Sequence, residues 1–125
     1  MGIYREQILP RVIDKVCGGA DMQRFRDRAC AGLTGTIVEI GFGSGLNVVS
    51  YPPEVELVYA VEPAALGRRL AAPRIAKGHA RVEHVGLRGE ALPLADESCD
   101  GALSTFTLCT IPGVEQALAE VLRVL

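Results

Sequence analysis

Three observations predict an α/β fold: a doubly wound parallel sheet of about four strands with flanking helices. Apolar, β-branched runs alternate along the chain with stretches of helical periodicity, the pattern of strand–helix–strand units joined by right-handed crossovers. The run Leu57–Val61 is continuously apolar, as suits a strand covered on both faces. The run Thr36–Ile40 ends in Gly41-Phe42-Gly43-Ser44-Gly45, a turn of the kind that carries a strand into a helix. At 125 residues the chain has the size of a single domain, 1–125.

The elements follow in order. Tyr4 to Val16 reads as a helix, with Ile8, Val12, Ile13 and Val16 on one face and Gly18-Gly19 ending it. Pro10 is tolerable only near the start of that helix or as a break in it. Asp21 is suited to cap a second helix running to about Leu33, with Met22, Phe25, Ala29 and Cys30 on its apolar side. Residues 1–33 are expected to form N-terminal helices that cap a site at the carboxyl ends of the strands. Gly35 opens the first strand, and the glycine turn leads into a short helix from about Gly45 through Val49, stopped by Tyr51-Pro52-Pro53. The second strand ends at Glu62-Pro63, and a helix from Ala64 to about Lys77 follows. Arg81–Val85 is a third strand, Cys99–Phe106 a fourth, and Val114–Leu125 an amphipathic helix carrying Leu118, Val121, Leu122 and Leu125.

Composition narrows the function. Apolar residues make up 49% and charged residues 22%, a globular balance. The net charge of −2 gives no general attraction for nucleic acid or anionic membrane, and the absence of Trp argues against stacking platforms for single strands. Arg24, Arg26 and Arg28 read as a solvated helix face. Apolar stretches are too short for a transmembrane segment, and the start of the chain lacks a signal-type core, which together predict a cytoplasmic protein. Cys17, Cys30, Cys99 and Cys109 form no C-x-x-C pair, and with His79 and His84 they give no metal-ligand spacing, so no metal is expected.

In open parallel sheets, ligands sit beyond the carboxyl ends of the strands. The Glu39–Gly45 segment, Glu62, and the segment after Phe106 all fall at such ends. The glycines stand at 41, 43 and 45, so the third comes one position earlier than in the Gly-x-Gly-x-x-Gly dinucleotide pattern. Glu39, just before the turn, is a poor neighbour for a pyrophosphate and a good one for a cation. Glu62 is placed to accept both hydroxyls of a ribose. The pattern suits a ligand with a cationic end and a ribose but no phosphate.

S-adenosylmethionine (SAM) has those features, and here a resemblance becomes specific. Val38-Glu39-Ile40-Gly41-Phe42-Gly43-Ser44-Gly45-Leu46-Asn47 resembles motif I of the class I SAM-dependent methyltransferases, and Val61-Glu62-Pro63 resembles their acidic motif II. Gly89-Glu90-Ala91-Leu92-Pro93-Leu94 through Asp100 resembles the segment entering strand four, and Glu120–Leu125 the helix after it. The match runs from about 34 to 125 and is most similar to the type 11 methyltransferases, including a branch with Tyr-Pro-Pro after motif I and Leu-Cys after strand four.

The resemblance implies a Rossmann-like sheet and a set of cofactor-binding residues. Glu39 and the backbone of Gly41, Gly43 and Gly45, with Asn47 closing motif I, hold the methionine end. Glu62, with Pro63 beside it, holds the ribose, and Gly89 and Glu90 border the adenine. Thr105 and Phe106 line the floor beneath the sulfonium. Many relatives carry Asp where this chain has Arg88.

The expected reaction is methyl transfer from SAM, leaving S-adenosylhomocysteine, to an acceptor, most simply a small molecule, by in-line displacement. No catalytic residue is nominated, because the sequence offers no convincing general base. Leu125 ends a helix without a glycine cap, whereas the family continues with about three more strands. A chain with only the cofactor half exposes its fourth strand, which invites pairing with another copy. Two alternatives stay open: a truncated SAM- or nucleoside-binding module without turnover, and an NAD-dependent oxidoreductase domain.

Overall fold

The computed structural model describes residues 2–125. Four strands form one all-parallel sheet: β1 (Gly35–Ile40), β2 (Val55–Val61), β3 (Arg81–His84) and β4 (Gly101–Leu103), in the order β3-β2-β1-β4. The helices are α1 (Leu9–Cys17), α2 (Ala20–Cys30), α3 (Ala65–Lys77) and α4 (Val114–Val124). A π-helical turn, Tyr4–Ile8, precedes α1, and Pro10 stands at the start of α1, directly after that turn.

The central strands are buried because both sheet faces are covered. On one face Ile37, Val55, Val58, Ala60 and Leu103 pack with Cys30, Phe42, Val48, Tyr51 and Ala71. On the other, Val38, Ile40 and Val61 pack with Leu92, Cys99 and Val124. The alternation along β1 puts Glu39 on the same face as Ile37, at a position where an apolar residue would ordinarily sit.

Several expectations need correction. The segment after the glycine turn makes only a 3₁₀ turn, Val48–Ser50, instead of a helix from Gly45. β4 is three residues long, not eight, because the chain leaves the sheet after Leu103. Asp21 makes no capping hydrogen bond; Gly19 is the N-cap of α2. The apolar side expected for α2 is rotated: Phe25 is 58% exposed and Ala29 is exposed, while Arg26 and Cys30 are buried. The apolar face of α1 packs poorly too, with Ile8, Val12, Ile13 and Val16 all exposed. What holds α1 is polar: Asp14 pairs with Arg74 of α3 at 2.7 Å and accepts from Ser44 Oγ at 2.5 Å.

The glycine turn doubles the chain back across the end of β1. Gly41, Gly43 and Gly45 all have φ between +59° and +77°. A Cβ on Gly41 would run into the side chain of Thr107, whereas one on Gly43 would meet nothing nearer than the Gly41 carbonyl at 3.9 Å. Both substitutions to Ala carry the left-handed penalty of about 1–2 kcal/mol. Gly41→Ala should cost about 1–3 kcal/mol more than Gly43→Ala, read from urea midpoints, because it adds a clash in a packed site. Equal losses would show that Thr107 is not a barrier there.

Burial also acts on Glu39. Loss of hydration pushes its carboxyl up to about 7 from an ordinary 4.5, although hydrogen bonds from Tyr51 and Asn47 and the charge of Arg26 pull the other way. The folded chain therefore binds more protons than the unfolded chain between those values. The contribution of this group to stability is full below about pH 4.5 and is lost as pH rises through about 7. His84, lowered mainly by desolvation, acts in the opposite sense around its own ordinary value. Glu39→Gln keeps His84 and removes only the carboxylate titration. The stability of wild type relative to Glu39→Gln, from urea midpoints, should fall steadily between pH 5 and 8. A difference that does not change with pH would rule out a raised Glu39.

Candidate functional site

The carboxyl ends of β1 and β2, the loop after β3 and the approach to α4 enclose a crevice of about 540 Å³. Small-molecule sites commonly measure about 300–1,000 Å³. Its walls are Ile40 and Gly41 from β1 and its turn, Val61 and Pro63 from the end of β2, and Leu87–Glu90 after β3. Thr107 and Thr110–Gly113 follow β4, and Gln116 comes from α4. A second cavity of about 60 Å³ shares Gly41 with the first. It is bordered by Ile13 and Cys17 of α1, Arg26 of α2, the turn residues Phe42–Ser44, Leu46 and Asn47, and Thr105 and Phe106.

Beneath the turn runs a buried polar network. Asn47 Nδ2 donates to Glu39 Oε1 at 2.6 Å and to Thr105 Oγ1 at 2.9 Å. The Tyr51 hydroxyl donates to Glu39 Oε2. Beside the Glu39 carboxylate and buried, Tyr51 is itself pushed well above the usual phenol range, so it stays a donor. Arg26 Nη1 donates to Asn47 Oδ1 at 2.9 Å and to Thr105 Oγ1 at 3.2 Å, and Arg26 Nη2 to the Cys17 carbonyl at 3.3 Å. Asn47 thereby has its carbonyl and both amide hydrogens in use.

Glu62 clasps the turn from the neighbouring strand. Its Oε2 accepts from Gly43 N and its Oε1 from Ala64 N, each at 2.7 Å. The charge-assisted pair fixes the turn against the end of β2. On the far side, Glu90 pairs with Arg88 at 3.7 Å and accepts from Gly113 N at 3.4 Å. Backbone amides, its own first and then that of Gly113, hold the Glu90 carboxyl below its usual range, with Arg88 adding to the effect. Phe106 takes φ +57°, a left-handed conformation uncommon outside glycine, and lies with its ring centroid 5.3 Å from Arg26 Cζ.

The expected site residues thus separate into three groups. Gly41, Pro63, Gly89 and Glu90 line the crevice. Gly41, Gly43, Asn47, Thr105 and Phe106 border the small cavity. Glu39, Gly45 and Glu62 line neither. Gly45 faces Ala71 of α3 at 3.1 Å, which makes it a packing glycine. Glu39 is 1% exposed with both oxygens engaged inside the protein, so the direct contact with a ligand cation expected of it is corrected to a supporting role.

Arg26 and Tyr51 join the network without a clear sign in the sequence. Arg26 was read with Arg24 and Arg28 as a solvated face, and only its neighbours are solvated. Its spacing from Met22 and Cys30, four residues each way, was the available signal, since i, i+4 residues share a helix face. Tyr51 was read only as part of a Tyr-Pro-Pro stop, and nothing local marks it as the partner of Glu39. Among the described residues, no three His, Cys, Asp or Glu side chains converge on a metal-sized site, and no helix is long and apolar enough to cross a membrane.

Comparisons with known proteins agree with this geometry. No curated protein matches the chain. A family model described as a methyltransferase domain, type 11, matches residues 38–125. A solved SAM-dependent methyltransferase from Thermotoga maritima, described as a possible histamine N-methyltransferase, is 31% identical with a TM-score of 0.67, over 96% of this chain and 56% of its own. The Bacillus subtilis YcgJ protein (22% identical, TM-score 0.67, 82% of this chain and 44% of its own) has a similar fold. So does a SAM-dependent methyltransferase from Aquifex aeolicus (22% identical, TM-score 0.68, 92% of this chain and 66% of its own). The chain spans about half the length of the first two of these structures. With a matching family model over most of its length and the Rossmann-like sheet of its solved neighbours, this chain belongs to the type 11 family of SAM-dependent methyltransferase domains.

Proposed function

We propose that the chain binds SAM across the glycine turn and presents its methyl group to a small-molecule acceptor. The observation that carries this reading is the crevice of about 540 Å³ bordered by Gly41, Pro63, Gly89 and Glu90, beside which Glu62 clasps the turn. The Glu62 oxygens each accept one backbone N–H and keep lone pairs for ribose hydroxyls. The Gly89 backbone and the Glu90–Arg88 pair border the space an adenine would fill. Thr105, Phe106 and the turn face the other end of the ligand, with Ile13 and Cys17 of the N-terminal helices capping it.

SAM, when bound, supplies a methyl group already activated by its sulfonium. The chain then has to bind, align and exclude water. Its means are a turn held rigid by Glu62 and Asn47 and a cap held by Asp14 and Arg74. The same fold hosts many chemistries, so the acceptor class rests on the family, not on the sheet.

Calorimetric titration of the chain with SAM and, separately, with NAD tests the reading. SAM binding without NAD binding is expected, and NAD binding without SAM binding would overturn it. Glu62→Gln replaces one carboxylate oxygen by a donor, facing either Gly43 N or Ala64 N. It should weaken SAM binding by about 10-fold or more. The thermal midpoint serves as the control for folding. Unchanged affinity in a folded Glu62→Gln protein would remove Glu62 from the ribose site.

A further inference from the structure

Beside β3, at the outer edge of the sheet, a groove of about 650 Å³ runs along α3 and shares no lining residue with the crevice. The sequence of α3 creates it. Residues 65, 68, 69, 72, 75 and 76 recur at the spacing of one helix face. Three of them, Ala65, Ala72 and Ala76, are too small to fill the space between α3 and the end of β3, and Ile75 adds to the apolar lining.

The polar side chains of the groove are Arg68 and Arg69 of α3 and His84 at the end of β3. No carboxylate lines it, and among the described residues neither arginine has one within 4.0 Å, whereas Arg74, Arg81, Arg88 and Arg123 each do. Arg69 is exposed, and Arg68 is half-buried. Arg68 Nη1 donates to the Glu62 carbonyl at 2.6 Å, which positions the guanidinium and engages one of its N–H groups. The His84 ring meets Phe42 edge-on, with centroids 5.5 Å apart. Loss of hydration, and then the charge of Arg68, holds His84 below its ordinary range, so it is neutral at pH 7. Its other neighbours do not offset that field: Glu83 pairs with Arg81, and Ala60 of β2 is uncharged.

Two fixed positive charges, beside a histidine that gains a proton when an anion arrives, match a dianion better than a monoanion. A phosphate monoester carries a charge of about −1.5 to −2 at pH 7 and three acceptor oxygens, which guanidinium groups bind well. The alanines beside the charges leave room for an apolar body attached to the phosphate. We propose that this groove binds a phosphate monoester of a small apolar molecule, with the phosphate on Arg68, Arg69 and His84 and the body along the alanines of α3. The site goes beyond the SAM reading and does not rest on it.

The chain has two histidines, His79 and His84, and only His84 lines the groove. Their titrations can be followed by NMR at constant ionic strength in chloride, inorganic phosphate, phenyl phosphate and benzoate. Phenyl phosphate should raise the pKa of His84 by about 0.5 or more and leave His79 unchanged. An unmoved His84, or an equal rise at both histidines, would overturn the site, and this comparison needs no variant to fold. Phenyl phosphate should bind more tightly than inorganic phosphate, which has the charge without the body, and than benzoate, which has the body with a single charge. Equal affinity for inorganic phosphate would overturn the apolar body and assign the groove to free phosphate. Equal affinity for benzoate would overturn the preference for a dianion. Arg69→Gln, at an exposed position, should weaken phenyl phosphate by about 10-fold. Unchanged affinity in that variant would overturn the pairing of two arginines on one phosphate.

Discussion

The open end of this sheet is organised around one buried carboxylate. Glu39 stands where the alternation of β1 demands an apolar core residue, on the face it shares with Ile37. A carboxylate there must be hydrogen-bonded or neutralised. The chain does the first through Asn47, eight residues on, and Tyr51, twelve on, and both are within reach because the glycine turn folds the backbone over Glu39. Asn47 then has one carbonyl and one amide hydrogen left, which engage Arg26 and Thr105. One misfit in the core thus ties together α2, β1, the turn and the segment after β4. A substitution at any of the four changes the support of the other three, so pairs among them should not be additive.

This network also explains what could be read from the sequence. The sheet was legible because its signals are local: continuous apolar runs, their alternation with stretches of helical period, and a glycine turn at a strand end. The residues of the turn and Glu62 were legible for the same reason. The partners were not. A carboxylate beside a turn looks free in one dimension; the hydrogen bond that engages Glu39 comes from a tyrosine whose only local context is two prolines. Arg26 was set aside because charge clusters on helices are usually solvated, and only the packing of α2 against β1 and the turn distinguishes it from Arg24 and Arg28. The short helix expected after Gly45 failed for a related reason. Asn47 must turn inward to reach Glu39 and Thr105, and the chain makes only a 3₁₀ turn before Tyr51 is needed below.

The two sides of the ligand site are held by different forces. The floor consists of the ends of β1 and β2, buried on both faces and fixed by the Glu62 clasp. The proposed cap is α1, which has no buried residue and is attached by Asp14 to Arg74 and Ser44 and by the Cys17 carbonyl to Arg26. Elements with little apolar burial open at lower free energy than the core that supports them. Opening of α1 therefore need not disturb the sheet. Arg26 stands at the junction: its Nη1 belongs to the floor through Asn47, and its Nη2 to the cap through Cys17.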